Sequence, residues 1–379
     1  MEKPIYLDYN ATTPIAPEVA EEMLPYIRTH FGNPSSSYAI GRHNKEAIEK
    51  ARMQVAGLLG TRPEEIIFTS GGTESNNHAI RGAVFANQQK GKHIITSQVE
   101  HPAVAEVCRF LEKQGYEITW LPVDTYGKVN LEDVEKAIRP DTALITIMHA
   151  NNEVGTIQPI KEIGNIAKSH GVLFHTDAAQ SIGKIKTDVN ELDVDLLSVA
   201  GHKLYAPKGI GALYIRDGVK LEHLIFGAGQ EHGFRPGTEN VAYIVALGKA
   251  FELVKDNLQT NNNHLSQMRQ RLLDGLIEKC QTTIKLNADL NNCLPNTLSI
   301  AFENVDAHTL SSLVSKKVLF STGSACHADS VEISPVLKAM QVNSRVAAGT
   351  VRISTGKYIT VKEIDYAVDT ISDAVNKLL

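Results

Sequence analysis

Between Glu65 and Ile215 the chain repeats one pattern: a short apolar run, then, in most intervals, a stretch with helical spacing. That alternation constrains the fold more than any other feature. The runs are Glu65–Thr69, His93–Thr96, Ile118–Val123, Ala143–Met148, Val172–His175, Leu196–Val199 and Gly211–Ile215. Most are near-continuously apolar, as strands covered on both faces must be. Val104–Lys113, Leu131–Ile138 and Ile160–Lys168 repeat apolar residues at helical intervals and read as crossover helices. Strands joined by crossover helices predict an α/β fold with a mostly parallel sheet. Upstream, Asn44–Leu59 reads as an amphipathic helix stopped by Gly60.

The pattern changes near Val241. A long helical region runs to about Glu278 and is expected to break at the polar stretch Asp256–Asn263. Strands at Thr297–Phe302 and Val351–Ser354 then alternate with helices at Ala307–Val314 and from Val361. This predicts a smaller α+β domain. The 379 residues exceed what one core usually supports. The expected division is a large domain over residues 15–255 and a small domain built from residues 1–14 and 256–379.

Composition removes several classes of function. A net charge of −5 argues against a chain whose main partner is nucleic acid. No apolar run approaches the ~18 residues of a membrane-spanning helix. The opening MEKPIYLDYNATTP lacks the order of a secretory signal, so a cytoplasmic protein is the expectation. The four cysteines, Cys108, Cys280, Cys293 and Cys326, are too sparse for a disulfide scaffold. None sits at C-x-x-C spacing, so no metal site is expected.

Three motifs carry chemistry. Ser70–Asn77 (SGGTESNN) follows a strand and opens a helix, where free N–H groups and the positive dipole end suit a phosphate. In Phe174–Gln180 (FHTDAAQ), Asp177 sits at the C-terminal end of a strand, where α/β sheets place ligands. An N-cap is the plainer reading of that aspartate alone. In Ala200-Gly201-His202-Lys203, the lysine enters a glycine-rich turn that could desolvate its amine. Together these are the parts a pyridoxal phosphate site needs: a lysine for the imine, an acid for the ring nitrogen and a cradle for the phosphate.

With these motifs in order, the sequence resembles the cysteine desulfurases, the NifS/IscS-like members of the class V aminotransferase superfamily (fold type I). The resemblance covers nearly the whole chain. It includes YLDYNATTP at Tyr6–Pro14, GNPSS at Gly32–Ser36, Glu100-His101, NNEVG at Asn151–Gly155, RPGTEN at Arg235–Asn240 and GSAC at Gly323–Cys326. It implies a fold type I transferase using pyridoxal 5′-phosphate, with L-cysteine as substrate, a homodimeric assembly and a sulfur-acceptor protein as partner.

The resemblance also implies roles. Lys203 would form the imine with the cofactor, Asp177 would face the pyridine nitrogen and Gln180 the ring hydroxyl. His101 would stack on the ring and move protons. Gly72, Thr73 and His202 would hold the phosphate, and Thr238 would reach the phosphate of the other subunit. Asn152, Arg352 and Asn33 would bind the substrate carboxylate, for which arginine is a bidentate donor. Cys326 would be the nucleophile. Its neighbours, Ser321–Ser330, are small and polar, as in a mobile loop, and a protonated His327 beside it would favour the thiolate.

Two departures stand out. The usual serine before Gly-His-Lys is Ala200, which removes one phosphate contact. His327-Ala328-Asp329 replaces the common Thr-Ser after the cysteine. Both features resemble selenocysteine lyases and the desulfurases of DNA phosphorothioation, which are the alternatives to a desulfurase of iron–sulfur cluster assembly or thiolation.

Overall fold

The computed structural model describes residues 3–327 and 330–379, with the side chains of residues 324–332 outside the description. The chain enters through β1 (Ile5–Tyr6), which pairs in parallel with β11 (Val318–Leu319) far downstream. Seven strands then build the main sheet: β2 (Ile66–Thr69), β3 (His93–Ser97), β4 (Glu117–Leu121), β5 (Thr142–Thr146), β6 (Leu173–Asp177), β7 (Leu196–Ala200) and β8 (Gly211–Ile215). Their order is β2-β8-β7-β6-β5-β3-β4.

The sheet is mostly parallel, as the alternation predicts, with one reversal. β8 runs antiparallel to both β2 and β7. The connection from β7 to β8, Gly201–Ile210, is shorter than the dozen or so residues a parallel crossover needs. Every residue of β2, β3, β5, β7 and β8 is buried, whereas the edge strand β4 opens to solvent. That explains which runs read as continuously apolar.

The second sheet is antiparallel, ordered β12-β15-β10-β9 from β9 (Ile284–Leu286), β10 (Thr297–Phe302), β12 (Ser321–Thr322) and β15 (Thr350–Ser354). Between β12 and β15 the chain makes a separate hairpin, β13 (Ser324–His327) with β14 (Ser330–Ile333), in which Cys326 stands opposite Val331. The run around Cys326, expected as a mobile loop, therefore has its described backbone in a two-stranded ladder. Ala328, Asp329 and the side chain of Cys326 lie outside the described residues.

Two helices differ from the sequence reading. The helix expected from Asn44 begins at Ala39 and ends at Leu59, capped by Gly60 in the left-handed region (φ 72°). Asn44 looked like a polar start but is buried, because its amide donates to the carbonyls of His30 and Gly32. The expected break at Asp256–Asn263 does not occur: Val241–Lys279 is one continuous helix. Its first half packs in the core beneath the main sheet through Ile244, Leu247 and Phe251. Its last third packs in a second core through Leu272 and Leu276, together with Leu7, Ile300 and Ile371. The polar stretch between stays helical because its side chains find partners. Asn257 back-bonds to Leu253, Gln259 donates to Asn263, and Asn262 donates to the Lys184 carbonyl.

One buried ion pair ties the loop after β8 to the main sheet. Arg52 meets both oxygens of Glu231 at 2.7 and 2.8 Å, and Glu231 also accepts from the Phe68 amide at 2.7 Å. Both side chains are under 5% exposed. Glu231→Gln leaves the buried guanidinium only the half-exposed carboxylate of Glu49, 3.2 Å from its Nε, and urea unfolding is expected to show a loss of about 3 kcal/mol. A change below 1 kcal/mol would mean water reaches the pair.

Candidate active site

The C-terminal ends of β2, β3, β5, β6 and β7 converge on one side of the main sheet, the edge where open α/β sheets bind ligands. A cavity of about 360 Å³ opens there. Gly72 and Thr73 reach it from the end of β2, His101 from β3, Asn152 from β5, Asp177 and Gln180 from β6, and His202 and Lys203 from β7. Arg352 of β15 closes it from the second sheet. Residues from Gly72 to Lys203 thus share one wall because the parallel strands all end at the same edge, and the second sheet adds Arg352.

At one end the helix Gly72–Ala86 points its N-terminus at the cavity. Gly71 precedes it at φ 148°, a conformation open to glycine, and no side chain caps the first turn. A Cβ added to Gly72 would lie 3.2 Å from the Ala200 methyl, so the cradle is lined closely by small residues. The uncapped N–H groups and small walls fit a phosphate. Ala200 contributes only its methyl where a serine hydroxyl would be a further donor. His202 stands nearby, its Nδ1 3.1 Å from the Thr12 hydroxyl. Burial first, then Lys203, lowers its pKa to about 4, so the ring is neutral.

Asp177 is held as a carboxylate acceptor, not as a helix cap. One oxygen accepts from the Ala179 amide at 2.9 Å and the other from the Asn76 side chain at 2.7 Å. The chain turns after it instead of entering a helix. The carboxylate thereby keeps a fixed orientation at the cavity wall.

Lys203 lies across the same cavity. Its Nζ donates to the carbonyls of Asn10 and Ala11 at 2.6 and 2.8 Å. Burial, with Arg352 adding to it, lowers the amine to about 8 against the pull of Asp177 and Asp8. An unperturbed lysine titrates at about 10.4. In the cofactor-free protein, Lys203 labelling by an amine-selective reagent is expected to rise through a midpoint near pH 8. Peptide mass spectrometry reads it, and a midpoint near that of surface lysines would refute the desolvation.

His101 caps the helix Pro102–Lys113, its Nδ1 accepting from the Ala103 amide at 3.1 Å. In the neutral ring the proton is then on Nε2. The ring is open to solvent from the cavity but enclosed behind. Lost hydration and Lys203 lower its pKa, while Asp177 opposes them. Arg352 pairs with Asp8 at 2.6 Å and donates to the Asn152 carbonyl at 3.1 Å. Its Nε is buried without a partner, so a donor remains for a ligand.

Two expected site residues lie elsewhere. Asn33 is exposed and its side chain accepts from the Ser35 amide, outside the cavity. Thr238 is exposed beyond Glu231, also outside it. Of Cys326 only the backbone, in β13, is among what the structure describes. The other three cysteines are packed: burial raises Cys108 to about 12 and Cys280 and Cys293 to about 11.

The sequence profile described as aminotransferase class-V matches residues 5–367. The chain belongs to that family. Among relatives, it is 49% identical over 377 residues to the cysteine desulfurase IscS of Methanosarcina thermophila, covering 99% of this chain and 93% of that one. A solved structure titled NifS-like protein superposes with a TM-score of 0.92 at 40% identity, covering 98% of each chain. Another, titled SspA in complex with cysteine, gives 0.82 at 40% identity, covering 94% of this chain and 100% of that one.

Several residues of this class-V aminotransferase site were not assigned from its sequence. Asn76 lies four residues after Gly72, one helical turn on, and that spacing could have marked it as facing the cavity. Asn10 had no such signal. Its backbone carbonyl takes both Lys203 and Gln180, which only the tertiary fold brings together. Glu100, buried beside His101, accepts from Ser97 at 2.6 Å and from the Met148 amide. Burial raises it to about 8, so it is largely protonated at neutral pH.

Proposed function

We propose that this protein is a pyridoxal 5′-phosphate-dependent cysteine desulfurase that converts L-cysteine to L-alanine and leaves the sulfur as a persulfide on Cys326. One observation carries the reading: Lys203, Asp177, His101 and the uncapped Gly72 helix share a single cavity, in a chain 49% identical to a desulfurase over nearly its whole length. Bound there, pyridoxal phosphate supplies an electron sink for charge developing at the amino acid's α-carbon.

The chain's own groups have these tasks. Gly72, Thr73 and His202 hold the phosphate. Asp177, oriented by Asn76, faces the pyridine nitrogen and Gln180 the ring hydroxyl. Lys203, released from Asn10 and Ala11, reaches the cofactor as its covalent anchor. Its lowered pKa makes it a base for the α-proton, with His101 the other base within the cavity. Arg352 and Asn152 bind the substrate carboxylate. The Cys326 thiolate takes the substrate sulfur, and the carbon–sulfur bond electrons pass toward carbon. Asn33 is the weakest assignment, since it lies outside the cavity. Thr238, exposed and outside the cavity lining, serves the phosphate of a second copy in a homodimer.

The persulfide then passes to a sulfur-acceptor protein of iron–sulfur cluster assembly or thiolation. The relatives named IscS favour this over selenocysteine lyase or a DNA phosphorothioation role. A cytoplasmic site fits a chain in which no described helix is long and apolar enough to cross a membrane.

The test is alanine and sulfide production from L-cysteine with dithiothreitol, beside the same assay with L-selenocysteine. Absence of alanine sinks the proposal, and a much larger kcat/KM for selenocysteine replaces it with the lyase. Asp177→Asn is expected to keep the cofactor and lower kcat/KM about 10²- to 10³-fold, by analogy with losing one preorganised electrostatic contact. Unchanged turnover would remove Asp177 from the chemistry.

A further inference from the structure

Lys184 is buried, and none of the roles above uses it. It follows Gln180 by four residues and does not line the main cavity. It lines instead a second, smaller space of about 30 Å³ that it shares with Lys203. Its Nζ donates to the Gln180 side-chain oxygen at 2.8 Å and lies 3.4 Å from the Asn10 side-chain oxygen. Asn262, from the polar stretch of the long helix, donates to the Lys184 carbonyl at 2.9 Å. The other titratable groups lining that space are Tyr9, Lys203, Tyr205 and Lys357, and among the described residues no carboxylate lines it.

The consequence falls on Gln180. An amide side chain can turn over, exchanging a donor end for an acceptor end of nearly equal size. An amine has N–H groups to offer the carbonyl end. With Lys184 at 2.8 Å from Oε1, the Gln180 nitrogen is the end directed away from it. That nitrogen carries two N–H groups. One donates to the Asn10 carbonyl at 2.9 Å, and the other is left for a ligand.

We propose that Lys184 is a positioning residue that locks the Gln180 amide with its nitrogen toward the cofactor's ring oxygen. The proposal rests on the reading that this cavity holds pyridoxal phosphate with Gln180 at its ring hydroxyl. Burial, with Lys203 and Arg352 as neighbouring positive charges, lowers the Lys184 pKa well below the ordinary value. Protonated or not, the amine has an N–H to offer Gln180, and the lowered pKa lessens the charge held in a space that no carboxylate lines among the described residues. The lock matters because the ring oxygen bears negative charge. A donor stabilises that charge, whereas a turned amide sets a carbonyl oxygen against it, and a proton shared with that oxygen is then held to higher pH.

The experiment is a pH titration of the visible absorbance of the cofactor-loaded protein. Lys184→Met is expected to move the midpoint upward by about one pH unit, the size set by one hydrogen bond to a charged group. Lys184→Leu is the second apolar replacement should the methionine variant not fold. Lys184→Gln, which restores an N–H toward Gln180, is expected to return the midpoint most of the way. Gln180→Leu is expected to shift it alone, and Lys184→Met added to Gln180→Leu to shift it no further. A midpoint unmoved in a folded Lys184 variant, or additive shifts in the double variant, overturns the proposal. No visible band in the unsubstituted protein after loading overturns the cofactor reading and this proposal with it.

Discussion

Replacing Cys326 with serine is expected to abolish sulfide release while leaving the cofactor's colour intact. The expected loss is at least about a thousandfold, because a serine hydroxyl is a far weaker nucleophile toward sulfur than a thiolate. Cys326 lies on the hairpin β13–β14, a separate two-stranded sheet, and serine is nearly isosteric with cysteine. Cofactor uptake and unfolding temperature should therefore match the unsubstituted protein. The three remaining cysteines serve as internal controls. Burial holds Cys108, Cys280 and Cys293 as thiols, so alanine substitution of any one should leave sulfide release within about twofold. Full sulfide production by Cys326→Ser would assign the nucleophile elsewhere, and partial loss in Cys280→Ala would point to that half-buried thiol.

Lys203→Ala is expected to remove both covalent cofactor attachment and turnover. Pyridoxal phosphate still finds the Gly72 helix and Asp177, so binding persists but without the visible band that survives desalting. Borohydride reduction of the unsubstituted, loaded protein should fix the cofactor on the peptide containing Lys203, and the variant should yield no such peptide. The loss of turnover should exceed about 10³-fold, since the covalent anchor and a candidate base disappear together. A variant that keeps the band after desalting would move the anchor to another lysine. Lys184 is the obvious second candidate, being buried and lowered in pKa, but it lies behind Gln180 and outside the main cavity.

Much of this site could be read before any coordinates existed. Gly72, Thr73, His101, Asn152, Asp177, Gln180, His202, Lys203 and Arg352 all line the cavity. The Gly72-Thr73 turn, Asp177 and Lys203 were legible because each sits at a strand end or in a turn whose local chemistry is unusual for its position, whereas His101, Asn152, Gln180, His202 and Arg352 were implied by the resemblance to the cysteine desulfurases. A lysine after Gly-His and an aspartate closing an apolar strand both depart from what packing alone requires. Asn10, Asn76 and Lys184 were not assigned roles, since amides and a lysine on ordinary elements carry no local mark. Their roles come from a 2.6 Å contact to Lys203, a 2.7 Å contact to Asp177 and a 2.8 Å contact to Gln180. The helix Val241–Lys279 shows the converse error. Its polar middle reads as a break because periodicity registers only apolar burial, whereas Asn257, Gln259 and Asn262 hold the helix together by hydrogen bonds.

By itself, the sequence determines the elements, the parallel core of the sheet and the residue types that a cofactor site demands. Those follow from local properties: strand length, apolar period, and glycine or cap chemistry, each contained within a few residues. The reversal at β8, the continuity of the long helix and the hydrogen-bond shell behind the site were decided by tertiary structure. They depend on which distant segments meet, as when Asn10 receives Lys203 and Gln180, or Arg352 pairs with Asp8 across 344 positions. A buried polar group must find a partner wherever the fold supplies one. The chemistry of the first contacts is therefore written locally, and the orientation of those contacts is set by the fold around them.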